Sequence, residues 1–165
     1  MYEDGRARGR VVVGVSGSRA SRAALRSAAE RATTGELVVV RAWEPPEGEA
    51  TYRRWPDADW ARHWQAVARD ELTRAVAETL GATPPGLDVT LRVERSRPGP
   101  ALLALATDPA DLVVIGGRPG RRGGAVHRFV RRHALCPVLT VPVRPLRRAE
   151  LRALRRMTPG DFVCA

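Results

Sequence analysis

Three short apolar runs constrain this fold more than any other feature of the chain. They are RVVVGV (10–15), LVVVRAW (37–43) and DLVVIG (111–116). Continuous apolar runs of this length are typical of strands buried on both faces, as in a parallel sheet covered by helices. Two further strands are predicted, at LDVTLRVE (87–94), where apolar and polar residues alternate, and at VLTVPV (138–143).

Helix-forming segments separate these strands. Ser18 is a suitable N-cap for a helix to about Thr33, and helical spacing predicts a long helix from about Asp59 to Leu80. A short helix begins near Pro100, and another follows the glycine-rich stretch before the last strand. This alternation predicts an α/β fold, a single doubly wound five-stranded parallel sheet with helices on both faces. Because the alternating third strand belongs at an edge, the strand order is 3-2-1-4-5, with a switch point between strands one and four.

The chain of 165 residues is long enough for one domain with a core. We expect a flexible charged leader (1–9), the α/β domain (10–143) and a C-terminal basic helix and tail (144–165). An apolar stripe in that helix is expected to dock on the domain or across a dimer. The segment EPPEGEATYRRWPDAD (44–59) is predicted as a polar loop. Four tryptophans in or near this loop are compatible with a ligand-stacking surface, but their helical spacing favours a place in the core.

The positive charge comes entirely from arginine. The formal net charge is +10, and the sequence contains no lysine and no asparagine. A basic excess can attract nucleic acid, acidic membranes or phosphorylated ligands. The biased composition favours codon preference over a dedicated polyanion site. No apolar run approaches the roughly 20 residues of a membrane helix, and two cysteines, Cys136 and Cys164, make no disulfide scaffold. We therefore expect a cytoplasmic protein that makes no membrane contact.

The common catalytic and phosphate-binding motifs do not fit this chain. A P-loop requires a lysine, and the dinucleotide fingerprint is absent from GVSGSRAS after the first strand. GVSGS resembles the nucleophile elbow of serine hydrolases, but its fifth residue is Ser18 and the late His133 falls within a helix. The histidines have no metal-ligand spacing. We therefore expect a binding protein rather than an enzyme, with no metal and no firmly held cofactor.

Two loops meet where a doubly wound sheet binds its ligands, at the carboxyl ends of the strands that flank the switch point. One is Ser16-Gly17-Ser18, and the other is GGRPGRRGGAVHRF (116–129). Glycines let the backbone approach a phosphate, and N–H groups at a helix start point towards it. Arginines of the second loop are available for charge-assisted contacts. The second loop is therefore interpreted as a cradle for an anion.

Five segments, taken together, resemble the universal stress protein family. They are VVVGVSGSRASRAAL, LVVVRAWEPP, SRPGPALLALA, ADLVVIGGRPG and RRHALCPVLTVPV, in this order, over about residues 10 to 143. HALCPVLTVPV is the most specific segment. The resemblance implies a stress-response role and an adenine-nucleotide site. Members that bind ATP have a loop patterned G-x-x-G, nine residues, then glycine and a hydroxyl residue, and an acidic residue after strand one.

This chain departs from the ATP-binding pattern. The acidic position matches Ser16, which brings no charge. The third glycine matches Gly124, and the hydroxyl residue after it is replaced by Ala125. The loop is about six residues short, so fewer amides are available to surround the phosphates.

The first glycine pair of the pattern has two possible matches, Gly117 with Gly120, or Gly116 with Pro119 in the second slot. Either match leaves three arginines in the loop. The resemblance implies that the nucleotide or anion site comprises Gly14, Ser16, Ala42, Gly116, Gly117, Arg118, Gly120, Arg121, Arg122, Gly124, Ala125 and Val126.

We expect a regulatory member of that family with a degenerate nucleotide site, which binds ATP weakly or not at all. Weak, salt-sensitive phosphate or sulfate binding is expected over residues 120–126. One alternative is a genuine ATP-binding member in which the loop arginines replace the missing amides. A second, less favoured alternative is a basic protein that contacts nucleic acid through its tail. A protein partner is compatible with each of these roles.

The fifth strand ends the predicted sheet, and an uncovered apolar edge favours aggregation. The resemblance implies that this strand pairs with its copy in a second subunit. The alternative is a monomer whose C-terminal helix covers the edge. The predicted homodimer interface comprises Val138, Leu139, Thr140, Val141, Pro142 and Val143.

Overall fold

A computed structural model describes residues 9–32, 35–83, 85–117 and 124–143. The predicted C-terminal helix and Cys164 lie outside these residues. The described chain forms strands and helices in strict alternation, apart from two successive helices after the second strand. They are β1 (Val11–Gly14), α1 (Arg19–Arg31), β2 (Glu36–Trp43), α2 (Glu49–Arg54), α3 (Ala58–Leu80), β3 (Asp88–Arg95), α4 (Pro98–Leu105), β4 (Leu112–Gly117), α5 (Ala125–His133) and β5 (Val138–Pro142).

The sheet is parallel and has the order β3-β2-β1-β4-β5, as the sequence predicts. Val11 is in register with Leu37 of β2 on one side and with Leu112 of β4 on the other. β1 is therefore central, and the connections reverse direction between β1 and β4. This is the switch point inferred from the apolar patterns.

Two hydrophobic cores cover the two faces of the sheet. Val13 packs with Leu25 of α1 and Leu72 of α3 on one face. Val12 packs with Leu102 of α4 and Val130 of α5 on the other. Successive side chains of a strand point to opposite faces, so a central strand with helices on both faces needs apolar residues at every position. This explains the continuous valine run of β1.

The amino end of the sheet is held by a buried carboxylate. Asp111 is 1% exposed and accepts hydrogen bonds from the backbone N–H groups of Arg10 (2.8 Å) and Asp108 (3.0 Å). The Arg10 guanidinium lies 3.3 Å from the same carboxylate. Burial opposes ionisation, but these hydrogen bonds and the Arg10 charge outweigh it, so the pKa of Asp111 lies below its ordinary value.

The segment predicted as a polar loop contains α2, which the sequence interpretation missed. Glu49 in its first turn forms ion pairs with Arg53 and with Arg95 at the end of β3. The Arg95 guanidinium lies 3.8 Å from the ring centroid of Tyr52. Hydrogen bonds from Arg95 are the main reason that the pKa of Glu49 lies below its ordinary value.

The prediction that the tryptophans belong to the core is wrong. Trp55 is 72% exposed, and Trp43, Trp60 and Trp64 are half-buried. Trp60 stacks on Tyr52 and makes an edge contact with Trp64. The cluster lies beside the edge strand β3, where the described chain provides no further layer to cover it. None of the described helices combines the length and the apolar character needed to cross a membrane.

Candidate functional site

A cavity of about 180 Å³ opens at the carboxyl ends of β1, β2 and β4. We call it the switch-point cleft. Its position follows from the topology, because the connections leave β1 and β4 in opposite directions and so leave a gap between them. The cleft is lined by Gly14, Val15, Ser16, Ser18, Ser21, Val40, Ala42, Pro98, Leu102, Ile115, Gly116 and Val126.

The walls of the cleft are mainly apolar. Val40, Leu102 and Ile115 belong to the core formed with α4 and α5, and each is at most 4% exposed. Ala42 and Val126 are half-buried and pack against that core. A cavity with mainly apolar walls and a few polar groups suits an aromatic ring.

The polar side chains of the cleft are serines from the turn between β1 and α1 and from the first turn of α1. Ser16 Oγ donates to Ser18 Oγ at 3.1 Å. Ser18 Oγ in turn accepts from the backbone N–H of Ser21 at 3.2 Å and caps α1, as the sequence predicts. Gly17 has a φ of +80°, which turns the chain sharply between the two serines. None of the described residues that line the cleft carries a charged side chain or an imidazole.

Two glycines predicted for phosphate contact also have packing roles. A Cβ on Gly116 would lie 2.2 Å from the carbonyl oxygen of Ala20 in α1. A Cβ on Gly117 would lie 2.5 Å from Cγ2 of Thr140 in β5. β4 therefore ends in close contact with α1 and with β5, and neither position has room for a side chain. Gly124 differs, because a Cβ there meets no described atom within 4 Å.

The structure brings together five of the residues that the sequence analysis assigned to the site, Gly14, Ser16, Ala42, Gly116 and Val126. The other described residues of that set do not line the cleft: Gly117 is in register with Pro142, Gly124 is the N-cap of α5, and Ala125 begins this helix. The remaining predicted residues lie outside the described chain. These are Arg118, Gly120, Arg121 and Arg122.

Two cleft residues from α4, Pro98 and Leu102, were missed by the sequence reasoning. A signal for them was available in the predicted strand order. β3 is at one edge and β4 lies beyond β1, so the connection between them must pass over β2 and β1. The helix in that connection therefore covers the carboxyl half of the central strands.

The residues predicted to form a dimer interface lie along the edge of the described sheet. Val138–Pro142 forms β5, which is paired with β4 on its inner side, and Val143 extends the pairing by donating to the carbonyl of Gly117 at 3.2 Å. Pro142 is exposed, and the other residues of β5 are half-buried. The edge position agrees with the prediction, whereas the dimer itself stays a prediction.

Comparisons with known proteins agree with the fold. The model of the Universal stress protein family matches residues 7–142. Similar solved structures include the hypothetical protein MJ0577, with 15% identity, a TM-score of 0.67 and coverage of 84% of this chain and 99% of that chain. UspA from Lactobacillus plantarum has 20% identity and a TM-score of 0.54, with coverage of 81% and 97%.

A universal stress protein in complex with cAMP has 27% identity and a TM-score of 0.52, with coverage of 83% of this chain and 98% of that chain. A search of curated proteins finds no match.

Proposed function

Because the chain belongs to the universal stress protein family, we propose that it is a cytoplasmic regulatory protein of the stress response whose switch-point cleft holds an adenine nucleotide weakly. The observation that carries this proposal is the composition of the cleft. Its apolar walls suit an adenine ring, but its polar groups are neutral hydroxyls and backbone groups. The adenine ring can therefore be buried in the cleft, but no charged side chain of the described lining is available to pair with the phosphate.

The chemistry of the β1–α1 turn supports weak binding. ATP-binding members of the family have an acidic residue at the position of Ser16, and here the Ser16 hydroxyl already donates to Ser18. The N-terminus of α5 provides few additional hydrogen-bond donors for a phosphate, because Gly124 has no side chain and Ala125 has no hydroxyl. Each missing charge-assisted hydrogen bond costs roughly 1.5–3 kcal/mol of binding free energy. We therefore infer that anions bind weakly and in a salt-sensitive manner, and that ATP is not bound tightly.

A binding role agrees better with the cleft than catalysis does. Ser16, Ser18 and Ser21 provide the hydroxyls of the cleft, and none of the described residues that line it is a histidine. A serine nucleophile needs an adjacent base. We therefore propose that the protein acts through the conformation or partner that it adopts when the cleft is filled.

The size of the cleft favours a nucleotide with a single phosphate over ATP. The cavity of about 180 Å³ lies below the roughly 300–1,000 Å³ typical of sites that enclose a drug-sized ligand. A relative with 27% identity binds cAMP, whose phosphate lies close to its ribose. We infer that this chain binds cAMP or AMP at least as well as ATP.

Calorimetry with ATP and magnesium, AMP and cAMP tests this proposal. We expect a Kd for ATP above about 10 μM, and weaker binding as salt rises. Ala42→Leu places a larger side chain in the cleft and should abolish nucleotide binding. Ala104→Leu is the matched control, since Ala104 is exposed on α4 outside the cleft, and it should bind as the unaltered protein does.

Two results would contradict the proposal. A Kd for ATP below about 10 μM that is lost on bulky substitution of Gly124 would indicate a genuine ATP site that uses the loop arginines. Equal nucleotide binding by Ala42→Leu and by Ala104→Leu would place the nucleotide outside the cleft.

A further inference from the structure

A second cavity lies on the other side of the β1–α1 turn, between α1, β2 and α3. Its volume is about 260 Å³, and we call it the arginine cleft. Ser16 lines both cavities, so a single turn separates them. The arginine cleft is lined by Ser16, Gly17, Arg22, Arg41, Glu71, Arg74, Ala75 and Glu78.

Three guanidinium groups and two carboxylates face this cleft. Arg22 forms an ion pair with Glu78 at 2.9 Å, and Arg41 forms an ion pair with Glu71. Arg74 lies between the two glutamates on α3, and it makes no ion pair with any residue in the described part of the chain. The lining residues therefore have a net charge of +1, from three arginines and two glutamates.

The paired arginines also keep unused hydrogen-bond donors. A guanidinium group has five N–H donors, and it cannot lose its charge in a protein. The Nε atoms of Arg22 and Arg41 are buried without an acceptor among the described residues. The side chain of Arg41 is only 19% exposed, so water has little access to this charge. Buried donors of this kind are costly unless an acceptor is present.

From this geometry we propose that the arginine cleft binds a small oxyanion of the phosphate class. Tetrahedral oxyanions have several acceptor oxygens and match the fork of donors on a guanidinium group, often in a bidentate manner. The excess positive charge and the unpaired Nε donors favour the binding of such a ligand. The cavity is smaller than the roughly 300–1,000 Å³ of sites for drug-sized molecules, which favours one phosphate group over a whole nucleotide.

The anion would bind mainly through the guanidinium groups of Arg74 and Arg22. Arg74 is exposed on α3 and free to reorient, and the Arg22 side chain is 42% exposed. Glu71 and Glu78 oppose the ligand charge, so they limit affinity and disfavour highly charged polyanions. The same carboxylates hold Arg22 and Arg41 in place.

A phosphate titration followed by NMR tests the proposal on the full chain. Inorganic phosphate is added to ¹⁵N-labelled protein at constant ionic strength, with chloride as the balancing anion. We expect the backbone amide signals of Gly17 and Ala75, which line the cleft, to shift along one saturating curve. Arg74→Gln should weaken the phosphate affinity about tenfold or more, the effect of losing one charge-assisted hydrogen bond.

Arg69→Gln is the matched control, because Arg69 is also an exposed arginine of α3 but does not line the cleft. It should leave the affinity within about twofold of the unaltered protein. Equal weakening by both variants would overturn the proposal and indicate non-specific attraction to a basic surface.

A variant of the glycine-rich loop distinguishes the two possible anion sites. If Arg122→Gln weakens phosphate binding and Arg74→Gln does not, the phosphate binds at that loop and the proposal is wrong. The absence of saturating shifts at Gly17 and Ala75 would overturn it as well. Because both results compare variants at different sites with inorganic phosphate as the probe, neither requires that a nucleotide binds in the switch-point cleft.

Discussion

At the scale of single residues, Asp111 shows how one buried charge fixes the start of a strand. Its carboxylate joins β4 to the residue before β1 through the backbone and side chain of Arg10. It also accepts from the N–H of Asp108 in the preceding turn. A buried carboxylate with this many donors stabilises the fold only while it is ionised.

Asp111→Asn should therefore destabilise the protein by about 2–4 kcal/mol at pH 7, because the hydrogen bonds lose their charged acceptor. Since the folded pKa is below the ordinary value, the stabilisation is fully present above about pH 4–5 and is lost as the pH falls through the folded pKa. The free energy of unfolding in urea, measured at pH 7 and pH 3, should show the difference between the two proteins shrinking in acid. Asp88→Asn, at an exposed position of β3, should change stability by less than about 0.5 kcal/mol.

At the scale of elements, the contact between β4 and α1 explains a glycine whose role the sequence leaves ambiguous. Gly116 belongs to a glycine-rich stretch that suggests a phosphate cradle, yet a Cβ there would overlap the backbone of Ala20. Backbone atoms cannot move aside as a flexible side chain can. α1 would have to shift away from the sheet, and with it the serine turn at its start.

Gly116→Ala should lower the free energy of unfolding by about 1–3 kcal/mol, the usual cost of overpacking a close contact. Gly124→Ala is the matched control from the same stretch. Gly124 has a φ of −57°, and a Cβ there would meet no described atom within 4 Å, so this change should stay within about 1 kcal/mol of the unaltered protein. Chemical denaturation of both variants provides the measurement. Equal stability of the two variants would show that β4 and α1 are not in close contact.

The elements differ in how well the sequence predicts them, and the reason is physical. The strands of the sheet centre were predictable because burial on both faces requires continuous apolar runs, and α1 because Ser18 caps it. α2 was missed because six residues are too few for a periodic pattern, and its ion pair with Arg95 joins residues 46 positions apart. The arginine cleft depends on such long-range contacts as well, whereas the place of α4 beside the switch-point cleft followed from the strand order. Ser16 was predictable since it directly follows β1.

At the scale of the whole molecule, β5 ends the sheet, and none of the described residues forms a strand on its outer side. Val143 N–H donates inward to Gly117, and alternate residues of a strand direct their N–H groups to opposite sides. The missing N–H of Pro142 therefore lies on the outer side and leaves the pairing with β4 intact. By the same alternation, the N–H of Thr140 points outward, away from β4, where a second strand would pair.

We predict a homodimer formed through residues 138–143, with the edge strands of two subunits side by side. Light scattering at micromolar concentration should give twice the chain mass of 18.0 kDa, about 36 kDa. Thr140→Pro removes an outward N–H from an edge strand, where proline is tolerated, and should shift the protein towards monomer. Thr140→Val keeps this donor and should remain dimeric. A mass of about 18 kDa for the unaltered protein would refute the dimer. If deletion of residues 144–165 then produced a dimer, the C-terminal segment would be what covers the edge.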